Sequence, residues 1–303
     1  MSASLVFYEV LILFMIMAAG FIAAKTKIID GDTKKHIASF VINITLPAVI
    51  LASSQMEFTA EKITNSVWLL GMAVVIFLIS IGIASFAYKK SGADKETVLK
   101  FATVFSNSAY MGFPVLQALL GSEGVFYGAV FLIPFNVFLW TYGVVIFKKH
   151  NSLRRILIDI MSPSMIAMLA AFIILGLGIK IPYPLDRALD IIGGLTTPLS
   201  MIVIGATLAE VNFRILFNDK WIYIASGLRL LILPAIAYAL FFWMAPPDMA
   251  LRILVLLVGM PCAAATTIFA QQFGGNTKLA SGVVSFSTLL SIATIPLLIL
   301  VFL

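Results

Sequence analysis

The sequence predicts an all-α membrane protein of ten transmembrane helices, arranged as two inverted five-helix repeats. Three observations lead there. Of 303 residues, 61% are hydrophobic and only 11% are charged, too few charges to cover a soluble domain of that length. The apolar residues fall into ten runs, and a run of about 20 residues at roughly 1.5 Å rise crosses a hydrocarbon core of about 30 Å. The two halves of the chain, 1–150 and 151–303, also share landmarks at nearly one offset.

The runs cover approximately 5–24, 36–55, 66–88, 98–121, 124–147, 157–179, 189–209, 219–244, 250–273 and 279–302. The first follows no basic stretch and is followed by no small-residue cleavage site, so it reads as a span and not as a removed signal. Connections are short, and none has the composition of a soluble domain.

Loop charges orient the spans. The loops after odd-numbered runs hold fifteen of the twenty Lys and Arg residues, among them Lys25, Lys34, Lys89, Lys95, Lys149, Arg155, Lys220 and Lys278. The opposite side holds Lys62, Lys180, Arg187 and Arg252. Basic loops stay in the cytoplasm, so both termini are predicted outside the plasma (inner) membrane of a multi-pass protein. The net charge of +6 is explained by these loops and implies no nucleic-acid partner.

The repeat is read from three matches. The Asn-Ile-Thr-Leu-Pro run at 43–47 matches Leu-Thr-Thr-Pro at 195–198, Trp68 matches Trp221, and Gly121-Ser-Glu matches Gly274-Gly-Asn. The offsets are 151, 153 and 153. Five spans is an odd number, so a duplicated half inserts upside down.

Helix breaks recur in paired runs. The second and seventh carry Pro47 and Pro198, the fourth carries Gly112 and Pro114, and the ninth carries Pro261. A proline removes a backbone donor and clashes with the preceding turn, and lipid offers the freed groups no partner. Helices four and nine, equivalent under the repeat, would cross at these broken points, with half-helix ends facing a common cavity. Isolated prolines such as Pro234 and Pro296 read as simple kinks.

Polar side chains beside the breaks are the candidate substrate contacts. Asn107 leads, because its amide can donate to a carboxylate and accept from a freed backbone amide. The alternative is a cap on the half-helix with no solute contact. Ser106, Asn43, Thr45, Asn136, Thr266 and Thr267 complete the set, although threonine in a span often bonds its own helix. Arg229 is the one charge deep in a run. A buried membrane charge points to function, but a long side chain near a span end can also snorkel to the interface.

Several chemistries are excluded. His36 and His150 lie in loops, and the chain has no H-E-x-x-H, G-x-S-x-G or phosphate-binding loop, so no enzyme is predicted. No metal site or cofactor is predicted. Cys262 is the single cysteine, so no internal disulfide can form. No run has Asp or Glu at its centre, which argues against strong ion coupling and favours an anionic solute.

Three motifs together resemble the auxin efflux carrier family. They are Asn-Ile-Thr-Leu-Pro-Ala at 43–48, Ser-Asn-Ser-Ala-Tyr-Met-Gly-Phe-Pro at 106–114 and Met-Pro-Cys-Ala-Ala-Ala-Thr-Thr at 260–267. The resemblance covers essentially the whole chain. It implies crossovers at Pro114 and Pro261, an elevator-like division into a scaffold and a moving unit, often a homodimer, and a carboxylate held by Asn107. The long cytoplasmic loop of the plant carriers is missing, since 148–156 is short, so a bacterial-type permease is expected.

The expected function is secondary transport of a small organic anion, a malonate- or auxin-like carboxylate, by elevator-type alternating access. Two alternatives stay open. One is a sodium-coupled organic-anion symporter of the related bile-acid type. The other is a membrane sensor that binds a solute without moving it.

Overall fold

The computed structural model describes residues 3–57, 59–147, 160–210 and 219–302. These residues are helical throughout apart from their connections and breaks. In chain order the helices are α1 (Ala3–Lys25), α2 (Gly31–Phe40), α3 (Leu46–Ala52), α4 (Ala60–Ala87), α5 (Ala93–Val104) and α6 (Phe113–Phe138). They continue with α7 (Pro163–Gly176), α8 (Tyr183–Gly194), α9 (Thr196–Ala209), α10 (Lys220–Gly227) and α11 (Leu233–Phe242). The last three are α12 (Asp248–Val258), α13 (Ala265–Gln272) and α14 (Thr277–Phe302).

Seven helical stretches among the described residues are long and apolar enough to cross a membrane. This is an integral, multi-pass membrane protein. The fourth and ninth runs of the sequence are not continuous helices. Each is divided, the fourth after Val104 and the ninth after Val258. The fifth run continues from the second half of the fourth as one helical stretch, Ser108–Gly143, interrupted where Gly121 takes φ 60° and ψ −146°. That left-handed conformation suits a residue without a Cβ. The short loop 148–156, the boundary between the two sequence halves and the start of the sixth run lie outside the described residues.

Proline shapes the helices in a consistent way. π-helical turns at Val41–Thr45, Ser108–Gly112 and Leu228–Ile232 each end two residues before a proline, namely Pro47, Pro114 and Pro234. A proline cannot donate to the carbonyl four residues back, and its ring clashes there. Widening the preceding turn absorbs the clash without ending the helix. The amides of Leu46 and Leu233 accordingly reach back five residues, to the carbonyls of Val41 and Leu228. Pro234, expected as a plain kink, therefore widens the turn that carries Arg229.

The chain forms two compact units. The first contains Met1–Leu69, Ala109–Ile133 and Met161–Glu210; the second contains Leu70–Ser108, Pro134–Ile160 and Val211–Leu303. Both draw on both halves of the sequence. In the first unit, α1 and α9 pack backbone to backbone. A Cβ built on Gly205 would lie 1.9 Å from the Met17 carbonyl oxygen, and one on Gly20 would lie 2.3 Å from that of Ile202. Gly193 of α8 similarly admits the backbone of Val49 on α3. Dispersion between helices is the main attraction available in lipid, and small residues allow this approach. The buried Asn65 amide donates to the Tyr127 hydroxyl at 3.0 Å.

In the second unit, α14 packs on α5, α10, α12 and α13. Aromatic rings fill the space between the broken segments. Phe101 stacks near Phe105 at 4.7 Å and Phe269 at 4.8 Å, and Phe105 meets the edge of Phe135 at 5.7 Å.

Candidate functional site

The site is built where α5 and α12 stop. Phe105, just past α5, is extended at φ −104° and ψ 118°. The residues that follow, Ser-Asn-Ser, carry short polar side chains that compete with helical hydrogen bonds. After α12 the chain reads Gly-Met-Pro, and Pro261 biases Met260 away from the helical conformation. Helix resumes at Ser108 on one side and at Ala265 on the other.

The two breaks are paired as a short antiparallel bridge, Ser106 opposite Cys262. The Asn107 amide donates to the Pro261 carbonyl at 2.7 Å, and the Ala263 amide donates to the Phe105 carbonyl at 3.0 Å. The Cys262 amide donates to Ser287 Oγ of α14 at 3.1 Å. Backbone groups freed in an apolar interior need such partners. Pro261 accordingly lies in the ninth-run break. The unwound residues of the fourth run are 105–107, while Gly112 ends a π-helical turn and Pro114 is the second residue of α6. Pro114 is thus the seventh residue of the helical stretch Ser108–Gly143, where the widened turn ahead of it accommodates the missing amide.

Arg229 joins the two breaks. It is 2% exposed. Its Nε donates to the Met260 carbonyl at 3.2 Å, and its Nη1 donates to the carbonyls of Thr103 at 2.9 Å and Val104 at 3.2 Å. Nη2 donates to the Val258 carbonyl. The last carbonyls of a helix have no intrahelical donors and carry a partial negative charge. One guanidinium thus caps the C-terminal ends of α5 and α12 together. The guanidinium is spent on interior backbone carbonyls and does not extend to solvent.

The candidate side chains separate into two groups. Ser106 and Ser108 share a hydrogen bond, Oγ to Oγ, at 2.6 Å. Asn107 is buried, and no hydrogen bond engages its side-chain amide among the described residues. Thr266, in the first turn of α13, is fully buried with its hydroxyl unpartnered among those residues. Thr267 beside it is half-buried, and Asn136 is buried on α6. All six belong to the second unit.

Asn43 and Thr45 belong to the first unit. The exposed Asn43 amide donates to the Ser39 carbonyl at 2.8 Å and to its hydroxyl at 3.1 Å. Thr45 bonds the Val41 carbonyl. Both therefore serve their own helix, the role common for short polar residues in a span. Pro47 and Pro198 sit in the first turns of α3 and α9. Thr196 and Ser200 of α9 are buried with unpartnered hydroxyls.

Sequence reasoning missed Ser287 and the Arg229 carbonyl set. The only available signal for Ser287 was hydroxyl spacing in the last run, Ser285, Ser287 and Ser291, which usually serves helix packing. Among the described residues, no three His, Cys, Asp or Glu side chains gather as metal ligands.

Comparison with known proteins finds membrane transporters along the whole chain. A family described as "Membrane transport protein" matches residues 5–158 and 151–299. An uncharacterized transporter of Methanocaldococcus jannaschii is 26% identical over 95% of this chain and 96% of its own. A protein named a putative malonate transporter in Rhizobium meliloti is 24% identical over 94% of this chain and 92% of its own. An uncharacterized transporter of Escherichia coli K12 is 23% identical over 95% of each. The chain belongs to this family of membrane transport proteins, as a permease of the auxin efflux carrier type.

Proposed function

We propose that the protein is a secondary carrier of a small organic anion, with its site at the paired breaks of the fourth and ninth spans. The observation that carries this reading is the buried Asn107 amide, unspent beside a backbone bridge that holds it in place. Thr266 offers a second unengaged hydroxyl at the N-terminal turn of α13, where the helix dipole favours negative charge. A carboxylate accepts hydrogen bonds from both an amide and a hydroxyl. The name of the Rhizobium relative favours a short carboxylate such as malonate.

The reading includes ten spans in two inverted repeats, residues 1–150 and 151–303. Two observations support the repeat. The first residues of α5 and α12, Ala93 and Asp248, are 155 positions apart, and the last, Val104 and Val258, are 154 apart. The bridge between the breaks is reciprocal, as a two-fold axis in the membrane plane requires. We assign the basic loops to the cytoplasm of a plasma membrane, with both termini outside. Ion pairs favour this: Lys34 meets Glu210, and Lys95 meets Asp219 at 2.6 Å. Each pair joins charges from the basic set of loops. The two compact units suit an elevator-type carrier with one fixed and one moving part, and a homodimer through the fixed part belongs to the same proposal.

Counterflow in proteoliposomes tests the reading. Labelled malonate, other short carboxylates and an indole carboxylate are offered to wild type and Asn107→Ala, with and without sodium and a pH gradient. Uptake by wild type that is lost in Asn107→Ala is the expected result. Equal flux in both at matched incorporation overturns the site. Binding without flux by wild type overturns the carrier in favour of a sensor.

A further inference from the structure

The polar contacts of Arg229 among the described residues are four backbone carbonyls and no carboxylate. Three of them, Thr103, Val104 and Val258, end helices that stop at the breaks, and the fourth, Met260, lies in the unwound segment. Converging carbonyls from half-helix ends and unwound backbone are the ligand type that holds a coupling Na⁺ in carriers with broken helices. Two helix C-termini meeting in an apolar interior leave negative partial charge that some cation has to balance. Here the balance is covalent: the cation is a side chain.

We propose that Arg229 is a tethered cation in the position an exchangeable alkali ion would otherwise fill at the crossed half-helices. Pro234 is part of the device. It widens the turn Leu228–Ile232, and so sets the direction in which Arg229 leaves its helix. A tethered cation has two consequences. The paired breaks keep their geometry at any sodium or potassium concentration, and the positive charge at the ends of α5 and α12 travels with the protein through the whole cycle. Arg229 acts on the substrate through the breaks and is a positioning residue, since its donors are committed to carbonyls. The flux consequences rest on the carrier reading above; the stability consequences do not.

The experiment compares wild type, Arg229→Ala and Arg229→Lys as purified, detergent-solubilised proteins. Thermal unfolding is followed in sodium, potassium, choline and millimolar methylguanidinium chlorides at constant ionic strength. Wild type is expected to unfold at one temperature in all four. Arg229→Ala is expected to unfold several degrees lower in choline and to recover part of the loss in methylguanidinium or sodium. Malonate counterflow by the reconstituted variant should show the same cation dependence, absent from wild type. A merely structural arginine would leave the variant equally damaged in every salt, and that result overturns the proposal. If Arg229→Ala does not fold, Arg229→Lys carries the test. It keeps the charge with fewer donors, so it should fold and remain indifferent to sodium. Sodium-stimulated unfolding temperature or flux in Arg229→Lys or in wild type overturns the proposal. Loss of malonate flux with the stability pattern intact would count against the substrate reading alone.

Discussion

Asn107 and Pro261 lie in opposite helix breaks, and a 2.7 Å hydrogen bond joins the amide of the first to the carbonyl of the second. The bond uses only the backbone of Asn107. Its side chain makes no hydrogen bond among the described residues and is therefore separable from the fold. Asn107→Ala should therefore unfold close to the wild-type temperature while binding carboxylates roughly ten- to a hundred-fold more weakly, because a hydrogen bond to a charged group is worth about 1.5–3 kcal/mol. Asn107→Asp keeps the shape but faces the anion with a like charge, and should bind more weakly still. Isothermal titration with malonate, paired with a melting curve, reads both quantities. A large fall in melting temperature for the alanine variant would mean the side chain is structural.

Ser287 is the opposite case. Its hydroxyl accepts from the buried Cys262 amide and donates to the Val284 carbonyl. Ser287→Ala removes the acceptor and leaves a buried amide unsatisfied, at a cost of about 1–3 kcal/mol. Thermal unfolding should fall accordingly, whereas Ser285→Ala on the same helix should have little effect. Equal melting temperatures for both variants would contradict the role given to Ser287.

The contact between α1 and α9 rests on the absence of side chains. Gly205→Ala places a Cβ against the Met17 backbone, so the helices must separate. Overpacking of this kind costs about 1–3 kcal/mol, sometimes more. Gly71→Ala is the control, since nothing lies within 4 Å of its added Cβ, and helix propensity then favours alanine by about 1 kcal/mol. A melting series of the two variants should therefore move in opposite directions.

Pro234→Ala separates local preference from tertiary demand. In isolation, replacing a proline inside a helix is favourable by about 3 kcal/mol. Here the new amide can close the widened turn and swing Arg229 away from its carbonyls. The expected outcome is no gain in melting temperature and a clear drop in counterflow. A more stable variant with full flux would separate Pro234 from the positioning of Arg229.

Much of this protein is legible in its amino-acid sequence. Membrane insertion follows from long apolar runs, because solvent exclusion by lipid acts on each run separately. The interruption of the ninth run is legible as well, since Pro261 disfavours helix through its own backbone chemistry. The turns before Pro47, Pro114 and Pro234 extend that logic: each proline acts on the residues just ahead of it.

What the amino-acid order left open was partnership across the chain. The proline at 114 drew attention to the fourth run, yet the unwound residues are Phe105, Ser106 and Asn107, because their backbone groups are satisfied by a segment more than 150 positions away. Asn43 and Asn107 are alike in composition and in nearness to a break. One is spent on Ser39 in its own helix, and the other makes no side-chain hydrogen bond among the described residues. Arg229 could equally have reached water until the ends of α5 and α12 arrived around it. Local pattern decides where a helix can break, because that depends on neighbours in sequence. Which donor meets which acceptor depends on long-range packing, and in a medium without water that pairing decides which polar groups remain for a substrate.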